Sequence, residues 1–381
     1  MPLFYSNFIY YLSLSNYSRM KEDTNLVTNL EKTANILIRS LTPNKPYHVQ
    51  WLLTRKCNYL CRGCNVWQEQ DQKELSTKQI KKGLDILREL GVVEVVLSGG
   101  NPLLREDIGE IIRYSSQFFI TTVYDNGSMA AKKIEELRKA DFVAISIDSL
   151  DSDKNDNLKG VKGSWHNAMK AVKALHKEGI AVAVSPTISQ FNLHEILELT
   201  NYFTSRDIPI WYCLYSYDLG ERPQLFKIGK KNDEFTITDT KAAVDLFNTL
   251  IEMKKKNNKI LMTTQILEAM RELFLTGKKT WKCRALQNFF VIDHIGRVAG
   301  CHLHDPIATI FDLPKMWKSQ KFKEMRKIYS KCSQCNYLCY VFYSLHGSVI
   351  GNFQLAKEQW RNAGLLLKKN RIMIPSLAKT Q

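Results

Sequence analysis

Two hydrophobic rhythms alternate along the chain. Runs of seven to nine apolar, β-branched or aromatic residues occur at 47–54 (YHVQWLLT), 92–98, 118–124, 142–148, 180–188 and 208–215, the length and make-up of buried strands. Between them, 76–90, 105–117, 128–140, 164–178 and 193–206 carry apolar residues three and four apart, which gathers them on one helix face. Ser76, Ser128 and Ser164 stand where N-caps belong, and Gly91 and Gly179 where left-handed C-caps belong. Six strand–helix repeats predict a parallel sheet, either an open doubly wound sheet or a barrel or part-barrel; periodicity alone does not choose.

The rhythm changes after 215: 216–239 is polar, 240–276 is mostly helical, and NFFVIDHIGRVAGC (288–301) reads as a hairpin. Upstream, 24–39 reads as a short amphipathic helix, ended by TPNKP at 42–46. The apolar stretch 3–15 is too short to span a bilayer and has no basic region or small-residue cleavage site. It reads as a leader. The expected division is an extension and helix (1–44), a barrel unit (45–239), a helical connection (240–280), a cysteine-rich module (281–340) and a basic segment (341–381).

Composition sharpens this picture at two points. Nine cysteines without an export signal argue against a disulfide framework and for metal or redox chemistry in a reducing cytoplasm. The net charge is +16, and residues 307–381 hold thirteen Lys or Arg against three Asp or Glu. Such a segment fits a solvated helix face, a dock for an acidic ferredoxin or flavodoxin donor, or contact with an anionic substrate, leader peptide or membrane. No familiar nucleic-acid-binding motif accompanies it.

The chemistry concentrates where strands end. Cys57, Cys61 and Cys64 follow the first strand in C-x3-C-x2-C spacing. A structural zinc or a fully ligated cluster would want four protein ligands; three thiols leave one iron of a [4Fe-4S] cluster open. SGGNPLL follows the second strand, DNG the third, SID the fourth and SPTISQFN the fifth. With the three-cysteine loop, this order resembles the radical S-adenosylmethionine (SAM) enzymes. The resemblance implies a partial (β/α)6 TIM-type barrel, a [4Fe-4S] cluster on Cys57, Cys61 and Cys64, and SAM on its open iron. In that family the reduced cluster cleaves SAM to methionine and a 5′-deoxyadenosyl radical, which takes hydrogen from substrate.

The same resemblance assigns SAM contacts to Gly99, Gly100, Asn101, Asn126, Ser146, Asp148, Thr187 and Asn192. Two positions depart from the family. Gly63 replaces the aromatic residue usual before the third cysteine, with Trp67 or Tyr59 as candidate substitutes, and Asn101 replaces the acidic residue after Gly-Gly. Asn101 keeps an amide oxygen for the SAM ammonium but loses charge assistance, so Asn101→Glu is expected to tighten SAM binding.

A second set, Cys283, Cys301, Cys332, Cys335 and Cys339, surrounds the hairpin. Spacing alone allows a four-cysteine zinc site. C-x12-G-x4-C followed by C-x2-C resembles the SPASM or shorter twitch extension, which implies one auxiliary [4Fe-4S] cluster, with Cys283, Cys301, Cys332 and Cys335 favoured as ligands and Cys339 open. Cys213 lies on the sixth strand, where it is a core cysteine or a hydrogen donor to a substrate radical. The expected enzyme abstracts hydrogen from a peptide or small metabolite with help from the auxiliary cluster. A two-cluster electron-transfer protein and a zinc-stabilised nucleic-acid-binding protein are the alternatives.

Overall fold

The first strand, β1 (His48–Thr54), is buried along almost its whole length, as a strand covered on both faces must be. The computed structural model describes residues 46–68, 73–218, 229–230, 232–333, 335 and 337–345. The expected helix at 24–39, the leader, and the basic segment from 346 onward lie outside them.

β1 is followed by β2 (Glu94–Gly99), β3 (Ile120–Asp125), β4 (Phe142–Ile145) and β5 (Val182–Val184), paired in parallel in chain order. A doubly wound sheet reverses its order at a switch point, whereas a barrel wall advances in one direction. The wall therefore belongs to a barrel. Single parallel bridges join Val184 to Ile210 and Ile210 to Ile260, and β6 (Thr187–Ile188) pairs with β7 (Cys213–Leu214). The expected strand at 180–188 is thus split, with Pro186, which has no N–H to give a ladder, between its halves. A short pair, β8 (Tyr217–Asp218) with β9 (Gly229–Lys230), follows.

The barrel is open. On its other edge β1 takes β10 (Phe289–Ile292) in parallel, and β11 (Arg297–Ala299) and β12 (Ala308–Thr309) continue antiparallel. The expected hairpin exists and is continuous with the barrel sheet.

Outside the wall, α1 (Thr77–Leu90) begins at a reciprocal cap between Ser76 and Gln79 and ends at Gly91, φ 84°. α2 spans Ile108–Ser115. The helix expected at 128–140 shrinks to a 3-10 turn (Ala130–Lys132) and one turn, α3 (Ile134–Leu137). Ser128 caps neither; its hydroxyl meets Asn58 and Asn101. α4 (Ser152–Lys159) was not expected, because SDKNDNLK offers Leu158 alone as a large apolar residue and has no apolar stripe to read. Asp151 caps it and Gly160, φ 65°, ends it. α5 (Ser164–Lys177) has Gly163 at its N-cap, so Ser164 sits one position inside its expected place. α6 (Ile196–Thr204) completes the β-α units, and α7 (Thr240–Lys256) packs on α8 (Thr264–Thr276).

After α9 (Leu313–Met316) and α10 (Gln320–Lys331), the chain ends its described part in α11 (Leu338–Leu345), whose sequence LCYVFYSL is apolar nearly all round. A helix of that kind must be buried. Tyr340 stacks on Phe289 of β10 at 4.8 Å, while Phe342 meets Trp211 at 5.4 Å. α11 thereby bridges the two edges that the open sheet leaves apart. Among the described residues, no helix is long and apolar enough to cross a membrane.

Candidate active site

The cysteine loop is held by the stem on which it stands. Gly100 and Asn101 donate their N–H groups to Thr54 and Lys56 carbonyls, both at 2.8 Å. A Cβ on Gly99, φ 144°, would lie 2.3 Å from the Thr54 oxygen, and one on Gly100 would lie 2.3 Å from the Lys56 oxygen. Only glycine fits beneath this backbone. The pair thus serves the loop first, and it also lines the cavity above.

That cavity, about 350 Å³, lies at the C-terminal ends of the strands, and Cys57, Cys61, Cys64, Cys213 and Cys339 are among its lining residues. An open surface trough of about 710 Å³ near Glu198, Tyr202 and Lys259 carries neither thiol nor imidazole among its lining residues. Volume alone would favour the trough; the chemistry favours the cavity.

Burial pushes the loop thiols up, Cys61 to about 11 and Cys64 to about 12, and each is raised further by other thiols of the loop. Asn126 Nδ2 donates to Cys57 Sγ at 3.8 Å. Thiols in such surroundings stay protonated unless a metal displaces the proton. Among the described residues, no three Cys, His, Asp or Glu side chains converge on a point that one metal ion could share. A zinc site needs that convergence, whereas a multi-iron cluster places each thiolate on its own iron. The three loop thiols, close together in sequence and all lining the cavity, fit a cluster with an open iron.

Three charged side chains line the cavity besides His302, which burial lowers to about 4: Asp125, Asp148 and Lys159. Lys159 Nζ donates to Ser146 Oγ at 2.7 Å and Asp148 Oδ2 at 2.5 Å. Burial alone would lower its pKa, but Asp148 and the neighbouring Cys61 hold the ammonium above its ordinary value. Asp148 also accepts the Thr187 N–H, at 2.6 Å. Lys159 escaped the sequence reading because it rides on the polar helix α4; its only signal was a lysine just before a helix-ending glycine.

Ser146, Asp148, Thr187, Asn126, Gly99 and Gly100 all line the cavity. Asn101 and Asn192 do not. Asn101 is fully buried: its Oδ1 accepts from Leu103 N–H at 3.0 Å, and its Nδ2 donates to Asp125 Oδ1 at 2.7 Å. The oxygen expected to meet SAM instead caps a 3-10 turn. Asn192 accepts from Ser189 N–H and donates to the Asp148 and Thr187 carbonyls; it clips two strand ends together from behind.

The second thiol set divides. Burial raises Cys283, Cys301 and Cys335, and the charges that push them further come from one another and from Cys332. Cys339, the first of whose charged neighbours is Cys213, turns toward the barrel cavity. His302 packs against Tyr337 and Tyr340 and reaches the cavity wall.

Comparison with known proteins agrees with this geometry. The Radical SAM superfamily profile matches residues 51–203. An AdoMet-dependent heme synthase of Oleidesulfovibrio alaskensis is 24% identical over 317 residues, 76% of this chain and 80% of that one. The antilisterial bacteriocin subtilosin biosynthesis protein AlbA of Bacillus subtilis is 25% identical, covering 72% of this chain and 62% of its own. The solved structure of a tagged anSMEcpe with bound AdoMet superposes with a TM-score of 0.60 at 13% identity, over 85% of this chain and 98% of that one, which speaks for the fold. With its strand order, its three-thiol loop and these relatives, residues 51–203 form a domain of the radical SAM superfamily.

Proposed function

We propose that the barrel cavity holds SAM beside a [4Fe-4S] cluster on Cys57, Cys61 and Cys64, and that a peptide or small metabolite reacts there. Bound in that place, cluster and cofactor would supply the one-electron cleavage of SAM and a 5′-deoxyadenosyl radical able to take hydrogen from substrate. The chain's own part is positional. Lys159, a buried cation beside Ser146, suits a carboxylate, and the Asp148 and Thr187 strand ends suit ribose hydroxyls. Tyr59, Trp67 and Leu214 on the lining shed water from the reacting region.

The observation that carries the reading is the separation of the thiols. Three line the cavity at strand ends; Cys283, Cys301, Cys332 and Cys335 form a group of their own around the hairpin and suit an auxiliary [4Fe-4S] cluster. Four cysteine ligands would close that cluster to substrate, so electron transfer out of an oxidised substrate is its natural role. The curated relatives whose names concern heme and a bacteriocin keep both substrate classes in view. The reductant would be a flavodoxin or ferredoxin of the cytoplasm.

Anaerobic reconstitution with iron and sulfide, then dithionite and SAM, tests this. Two clusters' worth of iron and formation of 5′-deoxyadenosine are expected. Iron without 5′-deoxyadenosine would leave an electron-transfer protein, and zinc without labile sulfide would end the reading.

A further inference from the structure

The cavity has no side chain at Gly63 and no cavity-facing carboxylate at position 101, and in both places another part of the chain fills the gap. A Cβ on Gly63 would lie 3.1 Å from Tyr215 Cε2 and 3.4 Å from Phe235 Cδ2. The space beside Cys64 is thus taken by two rings that reach across from the end of β7 and the loop before α7, 5.5 Å apart and tilted by 48°. With Leu158 they form an apolar cluster separate from the main core. Tyr215 is further fixed by its hydroxyl on Asp233, and Arg62 lies over the Phe235 ring at 5.8 Å. Aromatic rings that line the cavity outside the main core offer a platform to a flat aromatic ligand.

The charge follows the same logic. Asp148 is paired with Lys159, but among the described residues no lysine, arginine or histidine pairs with Asp125. Its Oδ1 takes the Asn101 amide and its Oδ2 the Ala130 and Met129 N–H groups, at 2.9 and 3.3 Å, and the Gly127 N–H is a further donor to it. These are neutral donors, so they leave the charge itself without an ionic partner on a carboxylate that lines the cavity next to Asn126, whose amide meets Cys57. Among the described residues of the wall, it is the charge without an ionic partner, and it is negative. A buried carboxylate in that state is a seat for a cation.

We propose that Asp125 and the Tyr215–Phe235 pair fix the two ends of SAM, the carboxylate taking the methionyl ammonium and the rings taking the adenine. Asn101 is then a positioning residue that orients Asp125, and Gly63 is small because the rings occupy its side-chain space. The assignment rests on the reading of this cavity as the SAM site.

Equilibrium binding to the anaerobically reconstituted full chain tests it, with SAM, L-methionine and 5′-deoxyadenosine as probes. Asp125→Asn should raise the SAM Kd about tenfold and weaken L-methionine while leaving 5′-deoxyadenosine unchanged. Phe235→Ala should cost about tenfold through lost stacking, weakening 5′-deoxyadenosine and leaving L-methionine unchanged. Asn101→Glu combined with Asp125→Asn should restore most of the SAM affinity by moving the charge across the 2.7 Å hydrogen bond. Circular dichroism checks that each variant is folded. Folded variants with unchanged SAM affinity, or equal loss of both fragments in each variant, would overturn the assignment while leaving the cavity a SAM site. A wild-type chain that binds cluster but no SAM would overturn the site reading itself.

Discussion

The loop after β1 and the region around the β10–β11 hairpin use the same side chain in different surroundings. Cys57, Cys61 and Cys64 share their cavity with a lysine, two aspartates, an asparagine and glycine backbone, all able to meet a polar ligand. The hairpin thiols are walled by aromatic residues: Tyr329, whose hydroxyl accepts the Gly300 N–H at 3.1 Å, and Tyr337 and Tyr340, which pack against His302. In the proposed reading, one setting would admit a molecule, while the other would isolate a charge carrier. The difference teaches that the proposed ligand counts and the surroundings agree: three thiols beside buried polar groups, four among aromatic rings. The two settings adjoin, since Cys64 packs on a cluster of Leu52, Val66, Val291 and Ala299, the last two from the hairpin.

The sharpest way to break this comparison is to remove one thiol set at a time. Cys57→Ala, Cys61→Ala or Cys64→Ala should abolish 5′-deoxyadenosine formation, with a loss of at least a thousandfold, because the cluster that delivers the electron is gone. Cys283→Ala with Cys301→Ala should remove about four iron per chain yet preserve SAM cleavage driven by dithionite. Cys339→Ser should keep all the iron, because Cys339 faces Cys213 and the cavity. If Cys339→Ser loses a cluster and Cys335→Ser does not, the division of the second set drawn from the structure is wrong.

Much of this was legible in the chain, for physical reasons. The five wall strands and the hairpin announced themselves as β-branched and aromatic runs, and α1 as an apolar stripe between a capping serine and a C-cap glycine, because burial and backbone geometry act on near neighbours. The loop cysteines were legible because three thiols in eight positions have few uses. Three things were not. The helix α4 has no stripe, so Lys159 was invisible. The α11 helix, spanning Leu338–Leu345, crosses the boundary drawn at 340, because a helix that is apolar all round carries no sign of which face it buries or against what. Asn101 was read by its place in a motif, but its side chain is decided by Asp125 and Leu103, and the Asp125 contact lies 24 residues away.

Lys159 sharpens the comparison by testing what the open setting costs. The Lys159–Asp148 pair is buried, with side chains 7% and 4% exposed. Removing one partner of such a pair costs about 3–5 kcal/mol, because the other is left as an unpaired buried charge. Lys159→Met should lose stability on that scale in denaturant unfolding. Lys159→Met with Asp148→Asn should recover most of it, while SAM binding stays impaired in both. Recovery of binding along with stability would show that the pair only supports the fold.

The smallest expected effects concern the pair whose roles the structure exchanges. Asn101→Glu, expected from sequence to tighten SAM binding, should instead weaken it several-fold when made alone, because the new carboxylate would face Asp125 across a 2.7 Å contact. Asp125 itself carries a stability signature. Burial holds its carboxyl above the ordinary value, only partly offset by the Ala130 and Asn101 donors. A carboxyl whose folded pKa lies above its unfolded one favours the protonated fold, so the ionised group costs stability once the pH exceeds the folded value, and that cost fades as pH falls back toward the unfolded value. Asp125→Asn cannot ionise, so its stability relative to the parent should be more favourable at pH 7 than at pH 4, whatever its amide loses among donors that meet both Asp125 oxygens. Thermal unfolding of both chains at the two pH values, without SAM, measures the difference, and an identical pH dependence in the two would mean that the Asp125 carboxylate carries no burial cost of this kind.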